Sequence, residues 1–387
     1  MEVRRLILFV ALAGALLAEG PVPKLGSYER SGAVVLANDK LELTVTIQGA
    51  SLARLVLSDD PAAVNPFWEP SRMARELGGQ AGFRSSTGHF VCVDGFGLVS
   101  EEERAAGLPG HGEAHTRPYD IRRMSREGHT AVVTMEATLP MVQEKLTRTL
   151  RVVDGESVIY VDSRLENLMG FDRPVNWAEH ATVGSPFLAS GETVADVSGT
   201  RSMTRPWTEP KRGTEDRRLA SGREFTWPLA PGLNGNVVDV RETPRAPHYI
   251  DHLTTLVDPD RKYGYVTALN KAQRLLMGYV FLREEFPWVQ YWGSYPATGK
   301  LARGLEFSTQ PFDVPRREVI SAAPLFGAPM YRWLPAKSSI QTHFLVFYTR
   351  VPEGMTRVDG ITLEGRQLIV EDRAAAKKIV LGASLGL

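Results

Sequence analysis

The sequence predicts an all-β fold, a sandwich or barrel, and at this length one large antiparallel β-sandwich. Two observations lead to this prediction: strand-like segments follow one another at short intervals along most of the chain, and few segments have helical periodicity. With 387 residues, 43% of them hydrophobic, the chain can bury a large core. Because no internal repeat divides the sequence and β domains can be long, residues 21–387 are expected to form one domain.

The clearest strand signal is "KLELTVTIQGASLARLVL", residues 40–57. Leu41, Leu43 and Val45 alternate with polar residues, so they are expected on one face of a strand, and Gly49 marks the turn to a second strand. Residues 145–167 predict a hairpin around the "DG" at 154–155. Short helices are expected in "SRMARELGG" and "VSEEERAAG". Residues 191–236, rich in Thr, Arg, Pro and Gly, are expected to form long loops or an insertion.

The N-terminal segment "MEVRRLILFVALAGALLAEG" has the pattern of a secretory signal peptide. Two arginines precede an apolar run of roughly 13 residues, which is shorter than the about 20 residues that a membrane-spanning helix needs. We therefore expect residues 1–20 to be a signal peptide and the mature protein to be periplasmic or extracellular, without a membrane span. Equal numbers of acidic and basic residues, 45 of each, argue against a nucleic-acid partner.

Two pairs of histidines have the four-residue spacing of metal ligands on one helix face, His111 with His115 and His248 with His252. Glycine follows the first histidine where zinc proteases have glutamate, and the glycines around it disfavour a helix. "HYIDH" predicts a strand, in which residues four apart lie too far apart to hold one ion. Cys92 is the single cysteine, which excludes a cysteine-based zinc site. Motifs of serine hydrolases and nucleotide-binding proteins are absent, so neither a metal nor an organic cofactor is expected.

Single polar residues within apolar segments are the remaining candidates for chemistry. His180 lies in "VNWAEHATVGSPFL" beside Trp177, Asp251 lies in "HYIDHLTTL", and Glu306 lies between two large apolar residues in "ARGLEFSTQPFD". Sugar-binding clefts combine charged side chains, which bond hydroxyl groups, with aromatic rings, which cover the C–H faces. Together these residues therefore favour a carbohydrate site.

The same segments give the sequence a resemblance to the galactose mutarotase superfamily, the aldose 1-epimerases and their relatives. The sequence elements occur in the same order as in that family. They begin with an opening strand pair with glycine at its bend, "HG" at His111, and "EHATVGSPF" with His180. These are followed by "IDHLTTL" with Asp251 and by "LEFSTQPFD" with Glu306. The resemblance extends from about residue 35 to residue 350 and implies the large antiparallel β-sandwich, or supersandwich, of that family. It departs from the family pattern where alanine follows the second histidine in place of proline.

The resemblance implies an exported aldose 1-epimerase-like enzyme that interconverts sugar anomers by acid–base ring opening, without a cofactor. By the same resemblance Glu306 would be the base, His180 the acid, His111 a hydrogen-bond donor to substrate and Asp251 an acceptor for a sugar hydroxyl. Arg84 is the candidate for the family's sugar-binding arginine, and Trp177 completes the expected substrate-binding set. Burial between apolar neighbours is expected to raise the pKa of Glu306.

Other classes of function share this fold and stay open at this point. The chain could bind a mono- or oligosaccharide without turnover, or it could cleave glycans as a lyase or glycosidase. Hydrolysis would require two carboxylates beside the scissile bond, and Glu306 with Asp251 could supply them. A structural or adhesion role is the remaining alternative. Glu113 and His115, close to His111 in "GLPGHGEAHTRPYD", are expected to be polar loop residues without a role in binding.

Overall fold

The computed structural model describes residues 20–207, 217–245 and 248–387. The predicted signal peptide thus lies outside the described residues, apart from its last position. The described chain is almost entirely β-structure with antiparallel pairing, which confirms the predicted fold class. None of the helices in the described ranges is long and apolar enough to cross a membrane.

The regular elements are short and follow each other closely. The strands are β1 (Lys24–Tyr28), β2 (Ser31–Ala37), β3 (Leu41–Thr46), β4 (Leu52–Leu57), β5 (His89–Val93), β6 (Asp120–Glu127), β7 (Thr130–Leu139), β8 (Glu144–Val153), β9 (Val158–Asn167), β10 (Arg173–Val175), β11 (Trp177–Gly184), β12 (Thr193–Val197), β13 (Arg201–Thr204), β14 (Glu224–Thr226), β15 (Leu229–Pro231), β16 (Val237–Asp239), β17 (Tyr249–Leu256), β18 (Tyr263–Asn270), β19 (Leu275–Leu282), β20 (Trp288–Tyr295), β21 (Ala302–Gly304), β22 (Glu306–Ser308), β23 (Arg332–Leu334), β24 (Ser339–Arg350), β25 (Gly360–Glu364), β26 (Gln367–Asp372) and β27 (Lys377–Gly382). The α-helices are α1 (Pro70–Glu76), α2 (Glu101–Ala105) and α3 (Arg316–Ser321), with 3-10 turns at Ala114–Thr116 and Leu325–Gly327.

Two sheets form the sandwich. The first has the order β1-β2-β3-β4-β5-β11-β21-β20-β17-β13-β14, with β22 beside β21 between β11 and β20, so it contains twelve strands. The second has eight strands in the order β12-β18-β19-β24-β9-β8-β7-β6. Side chains from both sheets contribute to one continuous apolar cluster, which includes Trp177 and Phe307 of the first sheet and Leu150 and Phe344 of the second. The inner face of each sheet is therefore its core face.

The part of the eight-stranded sheet from β12 to β9 is buried on its outer face as well. Strands β25, β26 and β27 form an antiparallel meander, and its Leu368 and Val370 pack in a second apolar cluster with Tyr160 of β9 and Phe347 of β24. Residues on the alternate positions of β9, such as Ile159, belong to the inner cluster. This double burial explains why the paired segments "VIYV" of β9 and "FLVF" of β24 are continuous apolar runs instead of alternating.

Most predicted elements are present, with three differences. The hairpin at 154–155 exists between β8 and β9, but four residues lie between the ends of the strands. The second predicted helix, α2, has five residues and begins at a capping box on Ser100. Residues 191–236 were expected to form long loops or an insertion, and their described part is more regular than loops. They include β12, β13, β14 and β15, whose lengths of three to five residues are too short to give a periodic sequence pattern.

Candidate functional site

A cavity of about 360 Å³ opens on the outer face of the twelve-stranded sheet, and we call it the cleft. Its titratable lining consists of four histidines and two carboxylates, namely His111, His115, His180, His252, Glu306 and Asp313. Its other lining residues are aromatic or neutral and polar, namely Trp68, Phe90, Phe96, Trp292, Ser86 and Gln290. A pocket with aromatic surface and several convergent polar groups is typical of sites for polar small molecules.

The centre of the cleft is a row of side chains that crosses four neighbouring strands. In the register of the sheet, Phe90 of β5 lies opposite His180 of β11, and Gln290 of β20 lies opposite Glu306 of β22. The pairing of β11 with β22 continues this row from His180 to Glu306. Strand pairing thus places these four side chains side by side, because residues opposite each other in a sheet lie on the same face.

His180 and Glu306 are in direct contact within this row. The Nε2 atom of His180 lies 3.2 Å from Oε1 of Glu306, and its Nδ1 atom lies 3.1 Å from the hydroxyl oxygen of Thr182. The amide of Gln290 donates a hydrogen bond of 3.2 Å to the other carboxyl oxygen of Glu306. The ring of Phe90 stacks on the imidazole of His180, with 4.2 Å between ring centroids and 20° between planes. Both functional groups are thus held in fixed orientations.

Burial shifts the pKa values of this pair in opposite directions. It raises the pKa of Glu306 well above its usual value of 4.5, although the hydrogen bond from Gln290 opposes the shift. It lowers the pKa of His180 well below 6.5, and the nearby His111 adds to the effect. Both shifts favour the neutral forms, so burial favours the state in which the proton shared by the pair lies on the carboxyl group of Glu306. The predicted rise of the Glu306 pKa is confirmed.

His111 lies at one wall of the cleft in a left-handed backbone conformation, with φ of 66°. The backbone N–H of Gly97 donates a hydrogen bond of 3.2 Å to its Nδ1 atom. Burial lowers the pKa of His111 to about 4, so the ring is neutral and carries its proton on Nε2. A neutral ring that accepts at Nδ1 is a hydrogen-bond donor at Nε2. This chemistry fits the predicted role of His111.

His115 is closer to the site than the sequence indicated. It lines the cleft, its ring centroid is 6.0 Å from that of His111, and burial lowers its pKa to about 4. Glu113 has a different function, because its carboxylate accepts hydrogen bonds from the backbone N–H groups of Met141 and Val142. The loop that carries both histidines is thus fixed to the chain segment before β8.

Three of the predicted binding residues lie elsewhere. Asp251 is fully buried on the face of β17 opposite to His252, where Arg218 binds its carboxylate through hydrogen bonds of 2.8 and 2.6 Å. Trp177 is fully buried in the core between the sheets, and its indole N–H donates to Glu179 over 3.1 Å. Arg84 is exposed and does not line the cleft. The expected contacts of these three side chains with substrate therefore find no support in their positions.

Directly behind the cleft, Glu179 is the centre of a buried charged cluster in the core. Arg148 of the eight-stranded sheet donates to both of its carboxyl oxygens over 3.0 to 3.1 Å. His89 lies 2.7 Å from one of them through its Nε2 atom. Burial alone would raise the pKa of Glu179, but Arg148 and His89 outweigh it and hold this pKa below the usual value. The cluster connects the two sheets one residue away from both His180 and Phe90.

Within residues 20–207, 217–245 and 248–387, no three histidine, cysteine, aspartate or glutamate side chains are arranged so that they could hold one metal ion. The neutral rings of the cleft histidines can donate and accept hydrogen bonds, and the His180–Glu306 pair can move a proton.

The raised pKa of Glu306 gives a prediction for stability. The folded protein keeps this proton to higher pH than the unfolded chain, so the wild type loses stability as the pH rises above 4.5 towards the folded pKa. A Glu306→Gln variant lacks this loss. We expect its melting temperature to increase relative to wild type as the pH rises through this range. Thermal unfolding of both proteins below and well above pH 4.5 measures the difference between their melting temperatures. A difference that does not change with pH would contradict the raised pKa of Glu306.

Comparison with known proteins adds to this description at the level of the fold. Neither a family model nor a curated protein matches the sequence. Among solved structures, a proposed aldose 1-epimerase from Klebsiella pneumoniae is similar, with a TM-score of 0.57, 14% identity, and coverage of 85% of this chain and 83% of that one. A galactose mutarotase-like protein from Clostridium acetobutylicum has a TM-score of 0.56 at 10% identity, covering 85% and 98%. The chain has the galactose mutarotase-like fold. A galactose mutarotase-related enzyme from Lactobacillus acidophilus gives a TM-score of 0.54 at 10% identity, covering 82% and 97%.

On this galactose mutarotase-like fold, the cleft also contains residues that the sequence analysis did not select. Gln290 and Trp292 alternate along β20 and so share the cleft face, and His252 shares it on the neighbouring β17. The spacing of two residues between Gln290 and Trp292 could have indicated from the sequence that both lie on one face of a strand. Trp68 and Asp313 lie outside the strands, where sequence periodicity gives no information.

Proposed function

We propose that the cleft binds a cyclic sugar and that the protein is an aldose 1-epimerase-like enzyme. The observation that supports this most is the direct contact of His180 with Glu306, with opposite pKa shifts, in a cleft lined by aromatic rings. Trp68 and Trp292 pack edge to face, with 6.2 Å between centroids. Their rings offer apolar surface for the C–H face of a sugar.

Anomer interconversion requires two proton transfers at the same end of the sugar. One group takes the proton of the C1 hydroxyl while another donates a proton to the ring oxygen, and the C1–O bond breaks to give the open aldehyde. After rotation about the C1–C2 bond, the ring oxygen attacks the other face and both transfers are reversed. A pair that shares one proton can serve both transfers without a cofactor, because it returns to its starting state after ring closure.

In the protonation state that burial favours, Glu306 donates its proton to the ring oxygen and His180 accepts the proton of the C1 hydroxyl. These roles are the reverse of those implied by the family resemblance, in which Glu306 is the base and His180 the acid. Ring closure runs the same steps backwards, so each group acts as acid in one direction and as base in the other. His111 contributes a hydrogen-bond donor at the same wall, because its ring centroid is 5.0 Å from that of His180.

Polarimetry with freshly dissolved α-glucose and α-galactose tests this proposal. We expect purified protein to accelerate relaxation to the anomeric equilibrium in proportion to its concentration. Binding of either sugar without acceleration would favour the alternative of a carbohydrate-binding protein. A protein that neither binds these sugars nor accelerates their relaxation would contradict the proposal.

Glycan cleavage is the second candidate, and one observation favours it: the cleft contains two carboxylates, Glu306 and Asp313. The pair suggested by the sequence, Glu306 with Asp251, is not available, because Asp251 lies on the opposite face of its sheet. Release of new reducing ends from oligosaccharides would support hydrolysis. Release of unsaturated products would support a lyase.

A further inference from the structure

One end of the cleft contains a carboxylate that the proposed proton transfer does not use. Asp313 lies in the loop between β22 and α3, lines the cleft, and has a side chain that is 24% exposed. A ligand in the cleft can therefore reach this carboxylate. Within the described part of the chain, no lysine or arginine lines the cleft.

Two basic side chains, His252 of the cleft lining and Arg205, lie against the carboxylate of Asp313. The Nε2 atom of His252 lies 3.2 Å from its Oδ1 atom, and Arg205 forms an ion pair with the same carboxylate. Arg205 also donates a hydrogen bond of 3.2 Å to the backbone carbonyl of Asp313, and its guanidinium lies 4.7 Å from the ring centroid of Trp207. These contacts fix both the side chain and the backbone of the loop residue. Burial, together with the charge of Arg205, lowers the pKa of His252 well below its usual value, which favours the neutral ring.

A glycine connects this end of the cleft with the His111 wall. A Cβ atom on Gly97 would lie 2.5 Å from Cβ of Asp313, so only glycine permits the observed approach of the two loops. The same Gly97 donates its N–H to Nδ1 of His111 and accepts the N–H of His111 at its carbonyl. The position of Asp313 relative to His111 is thus set by backbone contacts, as expected for two groups that bind one ligand.

We propose that Asp313 is a substrate-binding carboxylate of this cleft, which accepts a hydrogen bond from a sugar hydroxyl remote from C1, and that Arg205 is its positioning residue. The proposal rests on the sugar-binding function proposed above. A carboxylate accepts hydrogen bonds from hydroxyl groups and repels other anions, so Asp313 selects neutral sugars over those with a carboxylate or phosphate at that position. In this role Asp313 takes the place expected for Asp251.

The test uses galactose or glucose, whichever the wild type turns over faster, together with its monodeoxy analogues. We expect Asp313→Asn to bind the parent sugar roughly 10- to 100-fold more weakly, the range for a hydrogen bond to a charged group. For one monodeoxy analogue, which lacks the hydroxyl bound by Asp313, wild type and variant should bind equally. Equal weakening for the parent sugar and every analogue would indicate a structural role and overturn the proposal. Unchanged binding of the parent sugar would overturn it as well.

Two further measurements do not depend on this variant alone. Wild-type protein should bind the uronate of the same sugar at least about tenfold more weakly than the neutral sugar, and equal or tighter binding would overturn the selectivity. Arg205→Met should raise KM and leave kcat unchanged, and combining it with Asp313→Asn should add little, because both act on one contact. Additive effects, or a loss confined to kcat, would contradict a positioning role.

The two proposals fail in different ways. A wild type that neither binds nor turns over any neutral sugar would remove the proposed function and this inference with it. A wild type that turns over sugars, with Asp313→Asn unchanged, would leave the function in place and overturn only the role of Asp313.

Discussion

Replacing Glu306 by glutamine is expected to lower kcat for anomer interconversion by roughly 100- to 10,000-fold, the range for the loss of a general acid or base. Glutamine has nearly the same shape and can keep the hydrogen bond with Gln290, but it cannot exchange a proton with His180 at 3.2 Å. Sugar binding should therefore survive. Polarimetry gives the rate, and titration calorimetry gives the affinity.

His180→Asn is expected to reduce kcat over the same range, because it removes the second member of the pair. The kcat of the double variant should be only slightly lower than that of either single variant, since each single variant already removes the same proton-sharing pair. Glu42→Gln is a suitable control, because Glu42 lies on β3 of the same sheet, partly exposed, in a surface ion pair with Arg54. A Glu306→Gln variant with wild-type kcat would exclude the proposed chemistry.

Replacing Glu179 by glutamine is expected to decrease the free energy of unfolding by about 3–5 kcal/mol, the typical cost of leaving a buried charge without its partner. Arg148 is almost completely buried and has Glu179 as its ionic partner, so the variant would leave a positive charge in the core. Urea or thermal denaturation measures the loss. Glu42→Gln breaks an ion pair at the surface and is expected to cost no more than about 1 kcal/mol.

The Glu179→Gln variant also tests how the core supports the cleft. His89 and Glu179 lie on the inner face of β5 and β11, and Phe90 and His180 follow them directly on the outer face. Loosening this part of the core should therefore disturb the stacking of Phe90 on His180 as well. A Glu179→Gln variant as stable as Glu42→Gln would show that the charged cluster is not needed for stability.

The sequence predicts the fold class because some strands, such as β3 and β8, alternate clearly between apolar and polar residues. It also provides the two central side chains, His180 and Glu306, as candidates: Glu306 lies between two large apolar residues, and His180, although preceded by Glu179, lies in an otherwise mostly apolar segment. Trp177 and Asp251 were predicted to bind substrate, but their side chains lie on the core face of their strands. In a strand, a shift of one residue exchanges core and solvent faces. Where both faces are buried, as in β11 with its eight buried residues, composition cannot tell them apart.

Other parts of the site depend on tertiary structure that no local pattern encodes. Asp313 and Trp68 reach the cleft from loops, and His252 appeared in the sequence only as half of a possible metal pair. The partnership of Glu179 with Arg148 joins two sheets and residues 31 positions apart. Such contacts follow from the packing of the two sheets against each other, which residue types alone do not specify.

The most direct test of the central claim is a crystal structure of the Glu306→Gln variant with galactose or glucose bound. The account predicts the sugar in the cleft, with its ring oxygen and C1 hydroxyl each within about 3.2 Å of His180 or residue 306. It also predicts a face of the sugar against Trp68 or Trp292. A sugar bound with C1 far from this pair, or bound outside the cleft, would contradict it.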